Sequence, residues 1–141
     1  MKMATTKIFL ITTATLLIGF PGASLISKAS AAPDEPTLVR AVMCESIEKL
    51  EPVNQAVVFS IDIGRVSSFT EFDPVPEQTV IYHKWYHRGV LISGKQLTIN
   101  PPRWSSFSSI QLRDTDKGPW QVDVTDENGK IYQTLRFSIT D

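Results

Sequence analysis

The sequence predicts an all-β fold: a single immunoglobulin-like or fibronectin-like antiparallel β-sandwich of seven or eight strands, preceded by a signal peptide. Three observations carry that expectation. Short runs rich in Val, Ile, Phe, Tyr and Thr recur through residues 38–141, punctuated by turn residues such as Gly, Pro, Asp and Asn. The last third alternates apolar and polar residues with a period of two. Only Ser46 to Leu50 (SIEKL) hints at a helical turn in the part that follows the signal.

Residues 1–31 read as an export signal. Lys2 and Lys7 make a basic start, Ile8 to Phe20 a mostly apolar core, and Pro21 and Gly22 a break. Ala29-Ser30-Ala31 supplies the small residues of a cleavage site. The apolar run falls short of the roughly 20 residues a membrane span needs, so cleavage after Ala31 is expected and an N-terminal membrane anchor is the alternative. Cys44 lies beyond Asp34, Glu35 and Arg40, too far from the apolar run to accept a lipid. Losing Lys2, Lys7 and Lys28 takes the 14 basic residues to 11, against 15 acidic ones, so the processed chain is mildly acidic. No basic run points to a nucleic-acid partner, since that binding rests on clustered Lys and Arg. Residues 32–37 form a polar, flexible lead-in, and 38–141 are enough for one core without staples.

The strands follow in order. Leu38 to Cys44 is the first, Ala56 to Ile61 the second, and Arg65 to Phe72 (RVSSFTEF) the third, stopped by DPVPEQ, whose prolines remove backbone donors. Thr79 to Arg88, Val90 to Ser93, Lys95 to Asn100 and Ser105 to Leu112 come next. In WQVDVT, Trp120, Val122 and Val124 alternate with Gln121, Asp123 and Thr125, which places the apolar set on one face. DENG then turns the chain, with Asn128-Gly129 offering the positive-φ positions of a tight hairpin. The return strand puts Ile131, Gln133, Leu135, Phe137 and Ile139 on one face, with Gln133 as the lone polar intruder. Trp85 and Trp120 are expected in the core.

IYHKWYHRG (residues 81–89) holds both histidines. On a helix His83 and His87 would share one face and could hold one zinc. The β-branched and aromatic residues around them favour a strand, on which residues four apart are separated by about 13 Å. A metal bound at about 2 Å from each ligand cannot reach both, and no metal site is expected. Both histidines are expected near the strand's ends, within reach of solvent or a backbone carbonyl. The opposite face carries Tyr82, Lys84, Tyr86 and Arg88, either an ordinary outer face or a binding surface.

Three further stretches invite a chemical reading. PPRWSSFSS (residues 101–109) clusters four serines, but a nucleophile needs a base in hydrogen-bond reach, and no GxSxG elbow is present. Arg103 beside Trp104 could stack on the ring only if Pro101 and Pro102 bend the strand. Asp114 and Asp116 in RDTDKG resemble half a calcium loop, yet no glutamate closes it, and a solvated turn is expected. Cys44 is the one cysteine; it is expected buried, and would link two chains by a disulfide only if exposed.

Taken in order, MCESI, PVNQAVVFS, RVSSFTEFDPVP, YHKWYHRG, PPRWSSFSS and GPWQVDVTDENGKIYQTLRFSI resemble the bacterial domain-of-unknown-function family 2914. The resemblance covers nearly all of residues 40–141. It implies an exported or membrane-tethered envelope domain with no established activity, cofactor or catalytic residue to carry over. Some members of that family have a second cysteine near the positions of Ser67 and Ser68, where this chain has serine.

The expectation is a noncatalytic binding or interaction module of the bacterial envelope, periplasmic or extracellular, without a cofactor. Its partner would be an envelope protein or a glycan, held through Tyr82, Tyr86, Arg88, Arg103 and Trp104. A carbohydrate-binding module using exposed aromatics is the first alternative and a small hydrolase the second. The hydrolase would need His83 or His87 within about 3 Å of a serine, carboxylate or metal.

Overall fold

The computed structural model describes residues 34–141; residues 1–31, expected to be a signal peptide, and Ala32 and Pro33 of the expected lead-in lie outside the described residues. Nine strands follow in order: β1 (Leu38–Glu48), β2 (Glu51–Gln55), β3 (Val58–Ser60), β4 (Arg65–Phe72), β5 (Thr79–His87), β6 (Val90–Ile99), β7 (Trp104–Gln111), β8 (Gly118–Asp126) and β9 (Ile131–Thr140). They form a β-sandwich of a four-stranded sheet, β2-β1-β4-β7, and a five-stranded sheet, β3-β9-β8-β5-β6. Every pairing is antiparallel except β3 with β9, which is parallel. Among the described residues no helix is long and apolar enough to cross a membrane.

The dry layer between the sheets is built as the alternation requires. Trp85, Trp120 and Val122 meet Met43 and Val66 across the sandwich, with Leu135, Phe137 and Ile139 beside them. The Phe137 ring lies about 6 Å from those of Phe59, Trp85 and Trp120, at 6.1, 6.1 and 6.0 Å between centroids. Phe72, Val75, Ile81, Ile99 and Val124 close the other end. Burying side chains of this size contributes roughly 1.5–3 kcal/mol each.

Five expectations need correction. Ser46 to Leu50 is no helical turn: Lys49 and Leu50, both at positive φ, turn β1 into β2. Of residues 56–61 only Val58–Ser60 form a strand, β3, and Ile61 opens a 3-10 turn at Ile61–Ile63. Residues 90–99 form one strand, with a bulge at Ile92. A second bulge, at Tyr132, turns that ring onto Phe72 and leaves Ile131 and Gln133 exposed. The DENG turn is wider than a two-residue hairpin: Asp126 Oδ1 accepts the N–H groups of Asn128 and Lys130, each at 2.8 Å, and only Gly129 has positive φ.

The β1–β2 hairpin does not continue in the plane of its sheet. Glu51 lies opposite Glu48, eight residues along β1 from Arg40, about 27 Å away on a straight strand. Yet Arg40 Nη2 donates to Glu51 Oε2 at 3.0 Å. The hairpin therefore bends back over its own sheet. It does so on the outer face, because Arg40, Val42 and Cys44 stand opposite Glu71, Phe69 and Ser67, while Ala41 and Met43 point into the core.

Candidate functional site

Two of the five residues singled out in the sequence come together. Bending the β1–β2 hairpin back brings its tip, Lys49, Leu50 and Glu51, against the segment Pro102 to Ser105 that opens β7. Between them lies a cleft of about 450 Å³. Leu50, Pro102 and Trp104 make its apolar wall, and Lys49, Glu51, Arg103 and Ser105 its polar rim. Leu50 is 60% and Trp104 39% exposed, large apolar side chains held in solvent. The turn that presents Leu50 is itself unfavourable. Two consecutive residues that are neither Gly nor Asn sit at φ +50° and +59°, a conformation costing roughly 1–2 kcal/mol per residue.

Arg103 does not stack on Trp104. Its guanidinium pairs with the buried Glu71 carboxylate of β4, which anchors the rim of the cleft to the sheet. Arg40, the partner of Glu51, lies 4.9 Å from the centre of the buried Phe69 ring. The rim is thus tied down on both sides, Glu51 by Arg40 and Arg103 by the buried Glu71.

Tyr82, Tyr86 and Arg88 lie elsewhere. Tyr82 and Tyr86 are half-buried on the outer face of the five-stranded sheet, beside Thr125 and Gln121 of β8. That face carries a hydrogen-bonded row in which Asp123 Oδ1 accepts from Gln121 and Thr134, each at 2.8 Å, and Arg136 donates to Gln121 Oε1 at 2.7 Å. Arg88 donates to the Lys117 carbonyl at 3.1 Å and lies against the backbone of Gly118.

The histidines separate by environment. His87 stacks on Trp120, 4.4 Å between ring centres, and donates from Nε2 to the Lys117 carbonyl at 2.9 Å, as the sequence suggested. His83 reaches neither solvent nor a carbonyl. It is fully buried between the sheets, with Nδ1 2.8 Å from Ser108 Oγ and Nε2 3.1 Å from Thr70 Oγ1. β5 reaches β4 and β7 here because Ser68 and Thr70, opposite Ser108 and Ser106, leave room in the inner layer that bulkier residues would fill.

One arrangement of protons satisfies the bonded groups of this cluster. The Trp85 indole N–H can only donate, and does so to Ser108 Oγ at 3.1 Å. The Ser108 hydroxyl then gives its hydrogen to His83 Nδ1, so the neutral ring carries its proton on Nε2 and donates to Thr70 Oγ1. Thr70 passes its own hydrogen on to the hydroxyl or carbonyl of Ser106, at 3.2 and 3.4 Å. The bonded members are satisfied without charge, the neighbouring buried Ser68 hydroxyl alone having no partner among the described residues, and burial pushes the imidazole down to about 4. A serine–histidine pair at about 3 Å is therefore present, but its hydroxyl already accepts the indole proton and its base is weak at neutral pH.

The remaining sequence candidates resolve simply. Cys44 is fully buried, its thiol pushed up to about 11 by that burial, so the condition set for a disulfide-linked dimer is not met. Asp116 does not lie in a solvated turn. It is buried, accepts the Arg113 N–H at 2.8 Å through Oδ2 and receives the Trp120 indole N–H at its carbonyl at 2.6 Å. Among the described residues no group of three or more His, Cys, Asp or Glu side chains is placed to hold a metal.

Residues 78–139 match the DUF2914 family. Its description is "Protein of unknown function". The DUF2914 match begins one residue before β5 and ends within β9, so it takes in Trp104 and Arg103 but not the β1–β2 hairpin. No curated protein matches the chain.

Sequence reasoning missed Lys49 and Leu50, the hairpin half of the cleft. Neither residue type marks a positive-φ turn, and no short-range pattern announces that a strand will bend back over its own sheet.

Proposed function

We propose that the protein is a noncatalytic recognition module of the bacterial envelope, which takes an apolar group of a partner protein into the cleft between the β1–β2 hairpin tip and the start of β7. The observation that carries this reading is the pair of exposed large residues, Leu50 and Trp104, lining one cleft whose rim is fixed by two ion pairs. Aromatic residues flanked by arginine are the groups that most often dominate the affinity of an interface. An envelope location is supported by the basic start, apolar run and Ala-Ser-Ala of residues 1–31. The hydrolase alternative has weaker support, because the serine–histidine pair is enclosed between the sheets and its imidazole is held neutral.

The test is affinity purification from the native envelope, with the wild-type protein and Trp104→Ala as baits. A partner bound by the first should weaken by roughly 2–4 kcal/mol with the second, about 30- to 1,000-fold. Glycan arrays run in parallel address the carbohydrate alternative, since Trp104 amid polar groups also suits a sugar ring. Saturable glycan binding lost in Trp104→Ala would replace the protein partner. Binding that Trp104→Ala leaves intact would remove the cleft from the proposal.

A further inference from the structure

Four strands border the open edges of the two sheets: β2 and β7 in one, β3 and β6 in the other. A free edge presents unpaired N–H and C=O groups, and soluble proteins blunt it with shortness, charge, proline or a bulge. Three of these edges carry such devices. β3 is three residues long, β2 contains Glu51 and Pro52, and β6 contains Lys95 and the bulge at Ile92. β7 carries none. Its eight residues, WSSFSSIQ, include no charge, proline or glycine, and it runs in unbroken register along β4 from Trp104 to Gln111. The facing part of β6, Gly94 to Leu97, leaves an open groove of about 490 Å³ beside Phe107 to Gln111. Among the described residues, the backbone hydrogen bonds made outside the sheet ladders involve no residue of β7.

We infer that β7 is the docking edge for a second copy of this chain, joined antiparallel so that two four-stranded sheets become one of eight strands. A second copy fits because the strand is complementary to itself. Antiparallel pairing across a two-fold axis must keep inner residues opposite inner and outer opposite outer. A register centred on Phe107 satisfies this and sets Phe107 against Phe107 of the second copy, Ser105 against Ser109, Ser106 against Ser108 and Trp104 against Ile110. Phe107, 43% exposed on the outer face, thereby gains an aromatic cross-strand partner. No like charges stand directly opposite each other in this register, since β7 carries none, and the small serines let the backbones approach.

Sedimentation velocity of the purified protein from about 1 to 300 μM tests this through the mass, with the range chosen for an interface smaller than that of stable dimers. The wild type should double in mass as concentration rises. Phe107→Lys and Phe107→Glu, at an exposed position, should each stay monomeric with unchanged circular dichroism. An equimolar mixture of the two should recover the dimer, because this register sets the ammonium against the carboxylate. A wild type that stays monomeric throughout, or a dimer that survives both single substitutions, overturns the inference. So does a failure of the mixture to recover the dimer.

Discussion

Acid should loosen this protein through His83. Its imidazole is fully buried and bonded on both nitrogens to hydroxyls, and burial lowers it from an ordinary 6.5 to about 4. The unfolded chain therefore takes up a proton as the pH falls through 6.5, while the folded chain refuses it until about 4. The contribution of neutral His83 is complete above pH 6.5, declines between 6.5 and about 4, and is lost below. At about 1.4 kcal/mol per pH unit, that window is worth roughly 3 kcal/mol, a large share of the 5–15 kcal/mol that holds a typical domain together. Urea unfolding followed by tryptophan fluorescence, at intervals between pH 7.5 and 4, measures it against His83→Gln, which cannot titrate. Every other group is common to both proteins, so the difference in stability between them isolates His83. Wild type should lose roughly 3 kcal/mol more than the variant across the window. Parallel stability curves would refute the reasoning, because they would mean that His83 charges in the folded state as easily as in the unfolded one.

Other consequences follow from the packing. Phe137→Ala removes the ring that meets Phe59, Trp85 and Trp120, and should cost roughly 3–5 kcal/mol by urea titration; a loss under 1 kcal/mol would show that the rings do not form one packed unit. Cys44, buried with its thiol raised from 9.0 to about 11, should react with a disulfide reagent at pH 8 about 100-fold more slowly in the folded protein than in urea. Equal rates would place the thiol in solvent. Gly118→Ala should destabilise by roughly 1–3 kcal/mol, since φ is +110° there and a Cβ would stand 2.5 Å from Arg88 Nη2. Gly94→Ala, with open space at the Cβ, should be tolerated.

The C-terminal part of the fold was legible because it obeys one rule. β8 has apolar residues on its core face and a hydrogen-bonded polar row on the other, so its alternation survives in sequence even though Asp123 and Thr125 are themselves buried, and Trp120, Val122 and Val124 read as inward. β4 was harder to read: Phe69, outward by register, is buried, so both faces of RVSSFTEF are covered and the alternation of exposure disappears. Ile131 was assigned to the wrong row because the bulge at Tyr132 shifts the phase, and a bulge without glycine leaves no local mark. His83 was misjudged for a different reason. Its partners, Thr70 and Ser108, come from two strands of the other sheet, and no spacing along the chain announces contacts between residues 13 and 25 apart.

The candidate site divides in the same way. Arg103 and Trp104 were recognisable as a cation and an exposed aromatic beside two prolines, and the structure puts both on the cleft. Tyr82 and Tyr86 have the same composition but lie on the other sheet, where their neighbours form a hydrogen-bonded row instead of a concave site. Lys49 and Leu50 reach Trp104 only because β1 bends back, and the Arg40–Glu51 pair that reports the bend joins residues whose relation depends on it.

Photo-crosslinking in the native cell bears most directly on the proposed recognition cleft. A photoreactive residue replaces Leu50 in one sample and Tyr82 in another. Position 50 should give a discrete adduct that Trp104→Ala abolishes, and position 82 should not. An adduct formed at position 82 alone would move recognition to the five-stranded sheet and contradict the account.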